Sequence, residues 1–267
     1  MRLAIVTDAI CPDVTEAVRL GMEWGIRELE LRQVSGRRVP DLSLDQVELL
    51  LRLQREHGIR YTALSPGTFK CQVTSPQAEA DLEERLPRTL NLARRLGVTK
   101  VITFGFARGP EDPAEGRERV IRYLTRASRH AEAAGILLCL EPEAGFWCDT
   151  GLRTAEVVRA VGSKALRVNW DPGNCAKAGE RPFPDGYGAV QGLVAHVHIK
   201  DYLPGSDGQP GRWVAPGDGV IDWPGQLAAL LADSPVDYLT IETHFQPGVE
   251  GSRLSVDRIR GYLARLA

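Results

Sequence analysis

Four short segments carry a side chain that can bind a cation: Glu141 in "CLEPE", Asp171 in "NWDPGN", His198 in "HVHIKD" and Glu242 in "TIETH". Three carboxylates and an imidazole crowded together repel one another and resist desolvation unless something positive sits among them. One divalent cation supplies that charge. An oxygen-rich donor set with a single nitrogen suits Mn²⁺ or Mg²⁺, and also admits Co²⁺ or Zn²⁺. Taken singly, each residue has a plainer reading. A carboxylate at a strand end commonly caps the next helix, and a histidine inside a strand is commonly a satisfied core residue, the role expected for His196. All four, however, recur at matched positions of successive strands, which these plainer roles do not explain together.

Strand parity is what would bring them together. In "LLCLE", Leu138 and Leu140 share one face, while Leu137, Cys139 and Glu141 share the other. Val168 and Trp170 oppose Asn169 and Asp171; Val197 and Ile199 oppose His196, His198 and Lys200; Leu239 and Ile241 oppose Thr240 and Glu242. Each strand therefore carries bulky apolar residues on one face and polar or small ones on the other. Four times a helical segment runs through a glycine (Gly25, Gly58, Gly97, Gly135) into such a run, at spacings of 33, 39 and 38 residues. That rhythm allows one strand, one loop and one helix per unit, with glycine as the helix cap.

Eight strands are expected: Leu3–Asp8, Glu28–Arg32, Tyr61–Ser65, Val101–Phe104, Leu137–Glu141, Arg167–Asp171, His196–Lys200 and Tyr238–Thr243. Seven helical stretches separate them, the sixth short and near 186–192, and a final helix is expected over Leu254–Leu266. The tract 204–217 reads as a long loop between strand and helix. The fold predicted is a single-domain α/β protein spanning residues 1–267, a (β/α)₈ TIM barrel. Catalytic residues in that fold come from the C-terminal ends of several strands. A doubly wound sheet is the alternative, but no GxGxxG follows the first strand.

Composition narrows the function. A chain of 267 residues with 43% hydrophobic and 25% charged residues is ordinary for a globular protein. The formal charge of −2 gives no electrostatic case for nucleic acid or an anionic membrane. Five cysteines without a CxxC suggest neither a disulfide framework nor a zinc ribbon. No apolar run approaches the ~20 residues of a membrane span, and "LAIV" near the start is too short for a signal peptide. A cytoplasmic location is expected.

The ordered set "CLEPE", "NWDPGN", "HVHIKD" and "TIETH", with "GDGVIDW" before the seventh helix, resembles the xylose isomerase-like barrel superfamily. This group contains sugar-phosphate isomerases and epimerases, and also endonuclease IV-type enzymes. The resemblance implies one divalent metal held by Glu141, Asp171, His198 and Glu242. It further implies proton abstraction next to a carbonyl, with Glu141 and Glu242 as acid and base and a metal-stabilised enediolate between. Isomerase or epimerase is the leading expectation, acting on a small polyhydroxylated carbonyl compound. A dehydratase of a cyclitol or sugar-derived keto compound comes second, and a non-catalytic barrel subunit third.

Substrate contacts are expected from Lys200, Asn174, Glu143 and His244; Asn174 stands where many relatives have histidine. For Lys200 the plainer alternative is an ion pair with Asp201 or a nearby glutamate. Arg32, Lys70 and Trp147 are secondary candidates at the mouth. Asp222 is expected to cap a helix, and His57 and His130 to lie on the surface. The segments "LSPG" and "FGFA" lack the histidines that a three-zinc nuclease needs. No phosphate-binding glycine motif follows the last two strands, so a phosphorylated substrate is not expected. Homodimers or larger assemblies are common among relatives.

Overall fold

A computed structural model of the chain describes residues 1–109, 112, 115–206, 208–233 and 236–266. Eight parallel strands close into a barrel in chain order: β1 (Arg2–Val6), β2 (Glu28–Leu31), β3 (Arg60–Thr68), β4 (Lys100–Phe104), β5 (Leu137–Glu141), β6 (Leu166–Trp170), β7 (Val194–Ile199) and β8 (Tyr238–Ile241). β8 pairs with β1, so the sheet has no open edge. All eight expected strands are present. The four expected capping glycines adopt left-handed φ values between 62° and 72°, which glycine reaches without a Cβ clash.

Parity sorts the side chains as expected. Leu138, Leu140, Val168, Trp170, Val197, Ile199, Leu239 and Ile241 all lie in the large apolar layer between sheet and helices. Burying each such side chain contributes roughly 1.5–3 kcal/mol. Inside the barrel, a separate small cluster of Ala63, Ile102, Phe104 and Cys139 packs together. Glu30, Asn169, His196, His198 and Thr240 are buried in the interior as well.

The connections differ from expectation in four places. The first strand stops at Val6, because Thr7–Ile10 winds into a helical turn. The sixth crossover is broken into Pro172–Lys177, a turn at Pro182–Gly186 and the short helix Tyr187–Val190. Prolines at 182 and 184 prevent one continuous helix there. The last helix begins earlier than expected, at Gly248, and runs to Ala264. Finally, 204–217 is no simple loop: Asp201–Leu203 pairs antiparallel with Arg212–Val214 to form a ribbon above the barrel mouth.

An unexpected hairpin follows β2. Gln33–Val34 pairs with Arg37–Arg38 around Ser35 and Gly36, whose φ values of 46° and 81° suit a type I′ turn.

Asp201 fastens the ribbon. Its carboxylate accepts from the amides of Tyr202 (2.8 Å) and Gly217 (2.7 Å) and from the Trp223 indole (3.0 Å). A Cβ at Gly219 would lie 2.1 Å from Asp201 Oδ1, so the "GDG" run closes tightly over this carboxylate. The ion pair between Lys200 and Asp201 considered from sequence does not form; Asp201 is occupied by these donors, and Lys200 turns the other way. Asp222 caps the helix Trp223–Asp233 as expected, accepting from Gly225 N at 3.0 Å. We expect Asp201→Ala to leave buried donors unpaired and to cost about 2–3 kcal/mol, measured as a lower denaturant midpoint at unchanged slope. An unaltered midpoint would contradict this role.

Candidate metal centre

Glu141 ends β5 and His198 lies within β7, while Asp171 and Glu242 follow directly on β6 and β8. One ligand atom from each of the four falls within 4.8 Å of all the others, and all four residues are buried. Asp171 also caps the helix Pro172–Lys177, accepting from Asn174 N at 2.9 Å through Oδ1. The cap fixes one oxygen and leaves Oδ2 for the cluster. Capping and clustering, alternatives in the sequence, are thus combined in one side chain.

Neighbours hold the ligands in place. Glu141 accepts from Asn169 Nδ2 (3.0 Å) on one oxygen and from Asn174 Nδ2 (2.9 Å) on the other. Arg32 donates to Glu242 Oε1 at 2.7 Å and pairs with Asp8 at 2.9 Å. Beneath the cluster, Glu30 lies 3.1 Å from His198 Nε2 and 2.8 Å from His196 Nε2. The Thr240 hydroxyl lies 3.2 Å from the same His196 nitrogen. His196 is therefore the core histidine expected, but it is held through Nε2 only; its buried Nδ1 has no hydrogen-bond partner among the described residues. Glu30, His196 and His198 also form a compact trio, but their short contacts to one another make it a relay beneath His198.

With Nε2–H directed at Glu30, His198 turns Nδ1 towards Glu242 Oε2 (3.3 Å) and Glu141 Oε2 (3.4 Å). Asn169 Nδ2 also lies 3.1 Å from this nitrogen, and two carboxylates facing it favour a proton or a cation between them. Burial works against a charged His198, but Glu30, Glu242 and Glu141 outweigh it and raise its pKa well above the usual value. Burial and the neighbouring carboxylates push Asp171 up to about 7, although Lys200 opposes them.

Lys200 Nζ lies 2.8 Å from Asp171 Oδ2 and 2.7 Å from Glu242 Oε2. These are ion-pair contacts not aligned as hydrogen bonds, so both buried oxygens keep lone pairs without a hydrogen-bond donor. Two such oxygens, a third from Glu141 and an imidazole nitrogen match the donor set of a divalent cation. The residues fit the metal that their chemistry implies.

Above the cluster opens a cavity of about 410 Å³, within the usual range for small-molecule sites. Lys200, Asn174, Glu143 and His244 all line it, as do Arg32 and Lys70. Glu143 is paired with Lys70 at 2.7 Å. Trp147 does not line it; its ring packs against Gly116 at the start of a peripheral helix. His57 and His130 are half-buried and lie outside the site.

Sequence reasoning missed Glu30, Arg38 and Trp213. Parity applied to "ELELR" would have found Glu30, which shares the inward face with Glu28 and Arg32. Trp213 reaches the site only because the ribbon folds back; its ring lies 5.2 Å from Lys200 Nζ and 5.4 Å from the His244 ring. Arg38 depends likewise on its hairpin.

The chain matches the xylose isomerase-like TIM barrel family over residues 18–262, and it belongs to that family. No curated protein sequence matches it. Among solved structures it resembles a xylose isomerase-like TIM barrel protein from Mycobacterium smegmatis in complex with magnesium, at 20% identity and a TM-score of 0.76, covering 94% of this chain and 89% of that one. It resembles D-allulose 3-epimerase from Methylomonas sp. in complex with D-allulose at 16% identity and a TM-score of 0.77, with 98% and 97% covered. The probable 3-DHS dehydratase AsbF of Bacillus anthracis is similar at 16% identity and a TM-score of 0.80, with 97% and 99% covered. At these identities the likeness shows the shared fold. No helix among the described residues is long and apolar enough to cross a membrane.

Glu30 sets which His198 nitrogen faces the cluster, and carboxylates in that position typically strengthen metal binding 10–100-fold. We expect Glu30→Gln to weaken Mn²⁺ binding by about that factor in calorimetric titration, with the far-ultraviolet dichroism unchanged. Equal affinity would show that Glu30 plays no part in orienting His198.

Proposed function

We propose that the chain is a metal-dependent isomerase or epimerase acting on a small polyhydroxylated carbonyl compound. One observation carries this reading: Glu141 and Glu242 reach a single buried ligand set from strands separated by β6 and β7, and both line the same cavity. Glu141, Asp171, His198 and Glu242 would hold one divalent cation, which supplies charge to polarise a carbonyl and to neutralise negative charge growing on its oxygen. Mg²⁺ or Mn²⁺ suits the three oxygens best.

The chain's own groups then divide the work. Glu141 and Glu242 remove and return the proton on the carbon next to the carbonyl. Arg32 engages Glu242 Oε1 and leaves Oε2 for the cavity side of the cluster. Burial opposes the charge on Glu242, yet Lys200 above all holds it well below the usual carboxylate range. So weak a base needs the charge developing on the substrate oxygen to be neutralised in place. Lys200 and Asn174 are positioned to donate to substrate oxygens. Burial pushes His244 down to about 4, so it is neutral near pH 7. Its Nε2 lies 3.1 Å from Arg32 Nη1 and accepts from it, leaving a buried Nδ1–H without a partner among the described residues and available to a ligand.

Return of the proton to the neighbouring carbon gives isomerisation, and return from the opposite face gives epimerisation. Departure of a β-hydroxyl instead gives dehydration, a second reading supported by the basic lining of the cavity, which suits a keto acid.

We expect metal-loaded protein in D₂O to exchange the proton next to a ketose carbonyl. Glu242→Gln should slow this exchange by about 10²–10⁴-fold while metal remains bound. Full exchange by metal-loaded Glu242→Gln would remove Glu242 from the acid–base pair. Product mass from a parallel reaction in H₂O separates the two readings: an unchanged mass supports isomerisation or epimerisation, and loss of one water supports the dehydratase.

A further inference from the structure

The basic side chains around the cavity outnumber what the acidic ones can neutralise. Arg32, Arg38, Lys70, Lys177 and Lys200 line it against Glu141, Glu143 and Glu242. Most of these cations already have partners. Arg32 is paired with Asp8 and Glu242, Lys70 with Glu143, and Lys200 with Asp171 and Glu242. A divalent cation in the ligand set, together with Lys200, would balance the charges of Glu141, Asp171 and Glu242. Arg38 and Lys177 remain, with no carboxylate partner among the described residues.

Arg38 is held as if for a ligand. It stands opposite Gln33 in the hairpin after β2, and both side chains reach the cavity. The hairpin is firmly seated: Val34 and Val39 are buried, Gln46 donates to Val34 O at 2.8 Å, and Val39 N donates to Arg32 O at 3.1 Å. Arg38 Nε donates to Pro66 O at 2.9 Å. That single bond orients the fork and leaves both terminal nitrogens without a protein acceptor among the described residues.

Gly67 makes the room. Its φ is +76°, and a Cβ there would lie 3.0 Å from Arg38 Nε and 3.2 Å from Nη2, so the guanidinium rests flat against bare backbone. Half-buried, beside the like charge of Arg32, Arg38 has its charge disfavoured first by desolvation and then by that neighbour. Asp8, Glu242 and Glu141 offset this only in part, and a partly desolvated guanidinium with no carboxylate in contact gains when an anion joins it. Lys177 adds a second unpaired cation, with Nζ 5.4 Å from the Trp213 ring centre.

We infer that the substrate carries an anionic group, a carboxylate or a phosphate, which Arg38 grips through its two terminal nitrogens with Lys177 as an auxiliary charge. This rests on the proposed function for the other end of the molecule, where the carbonyl meets the carboxylate cluster. The absence of a phosphate-binding glycine loop is no obstacle, since here side chains supply the donors. A planar fork recognises either anion by two parallel hydrogen bonds, which a lysine at position 38 could not reproduce.

The test uses three ligands that share one carbonyl end: D-fructose, D-fructuronate and D-fructose 6-phosphate. Each is titrated calorimetrically into the full-length, Mn²⁺-loaded protein. We expect at least one anionic compound to bind about tenfold or more tighter than D-fructose, and the tighter of the two identifies the anion. In Arg38→Gln the ratio of anionic to neutral affinity should fall towards unity, and Arg38→Lys should restore little of it. Lys177→Gln, on an exposed side chain, should lower the ratio in part and serves as the variant least able to disturb folding.

A ratio near one in the unaltered protein, a ratio that survives Arg38→Gln combined with Lys177→Gln, or no binding of any of the three would overturn the inference. The outcome is separable from that of the proposed reaction. An Arg38-dependent preference without proton exchange would keep the anion site and sink the isomerase reading. Exchange on D-fructose with no anionic preference would do the reverse.

Discussion

Everything at the barrel mouth follows from the burial of three carboxylates side by side, of which Glu141 and Glu242 are held ionised while Asp171 is pushed up to about 7. Glu141, Asp171 and Glu242 are at most 5% exposed, and isolated charges at such depth would neutralise themselves by taking up protons. The chain answers with directed partners. Asparagines 169 and 174 donate to Glu141, Arg32 to Glu242 and a helix terminus to Asp171, while Lys200 lies between the latter two carboxylates. His198 joins them with its second nitrogen held by Glu30. Glu141 accepts on both oxygens, whereas Asp171 and Glu242 each have one oxygen engaged by a hydrogen bond and the other turned towards the shared centre. The arrangement fixes the orientation of each side chain and leaves two oxygens and their charge for a cation.

The fold supplies this because a closed parallel barrel delivers successive strand ends to one small ring. The helices outside are held by an apolar layer that takes the alternate residues of every strand. The inward residues are thereby released from packing duty near the mouth, where polarity costs least. The additions above the barrel then shape the cavity. Asp201 pins the ribbon that lowers Trp213 over Lys200, and the hairpin after β2 brings Arg38 to the opposite wall. The candidate metal ligands thus come from the barrel, and the cavity walls that the proposed substrate would meet come in part from these two hairpins.

The sequence made the barrel legible because its signals are local. Alternation in "LLCLE" or "YLTIET" and a glycine at each helix end need no knowledge of distant residues. Glu141, Asp171, His198 and Glu242 were legible for the same reason, since parity and strand order alone bring them together. Arg38 and Trp213 were not, because each enters the site through an antiparallel ribbon whose pairing depends on residues many positions away. Lys200 lay between these cases: its inward parity was visible and a glutamate partner was one of two offered, but nothing in the sequence chose Glu242 and Asp171 over Asp201. That preference arises only once Asp201 is taken up by the amides of residues 202 and 217 and the indole of Trp223.

The central claim is that the buried cluster is a site for one divalent metal ion. Metal content per chain, determined by plasma mass spectrometry on protein purified without chelators and dialysed against Mn²⁺, tests it directly. The account requires about one ion per chain in the unaltered protein and essentially none in Glu141→Ala of intact fold. An unaltered protein that emerges metal-free, or a Glu141→Ala variant that retains its full complement, would contradict it.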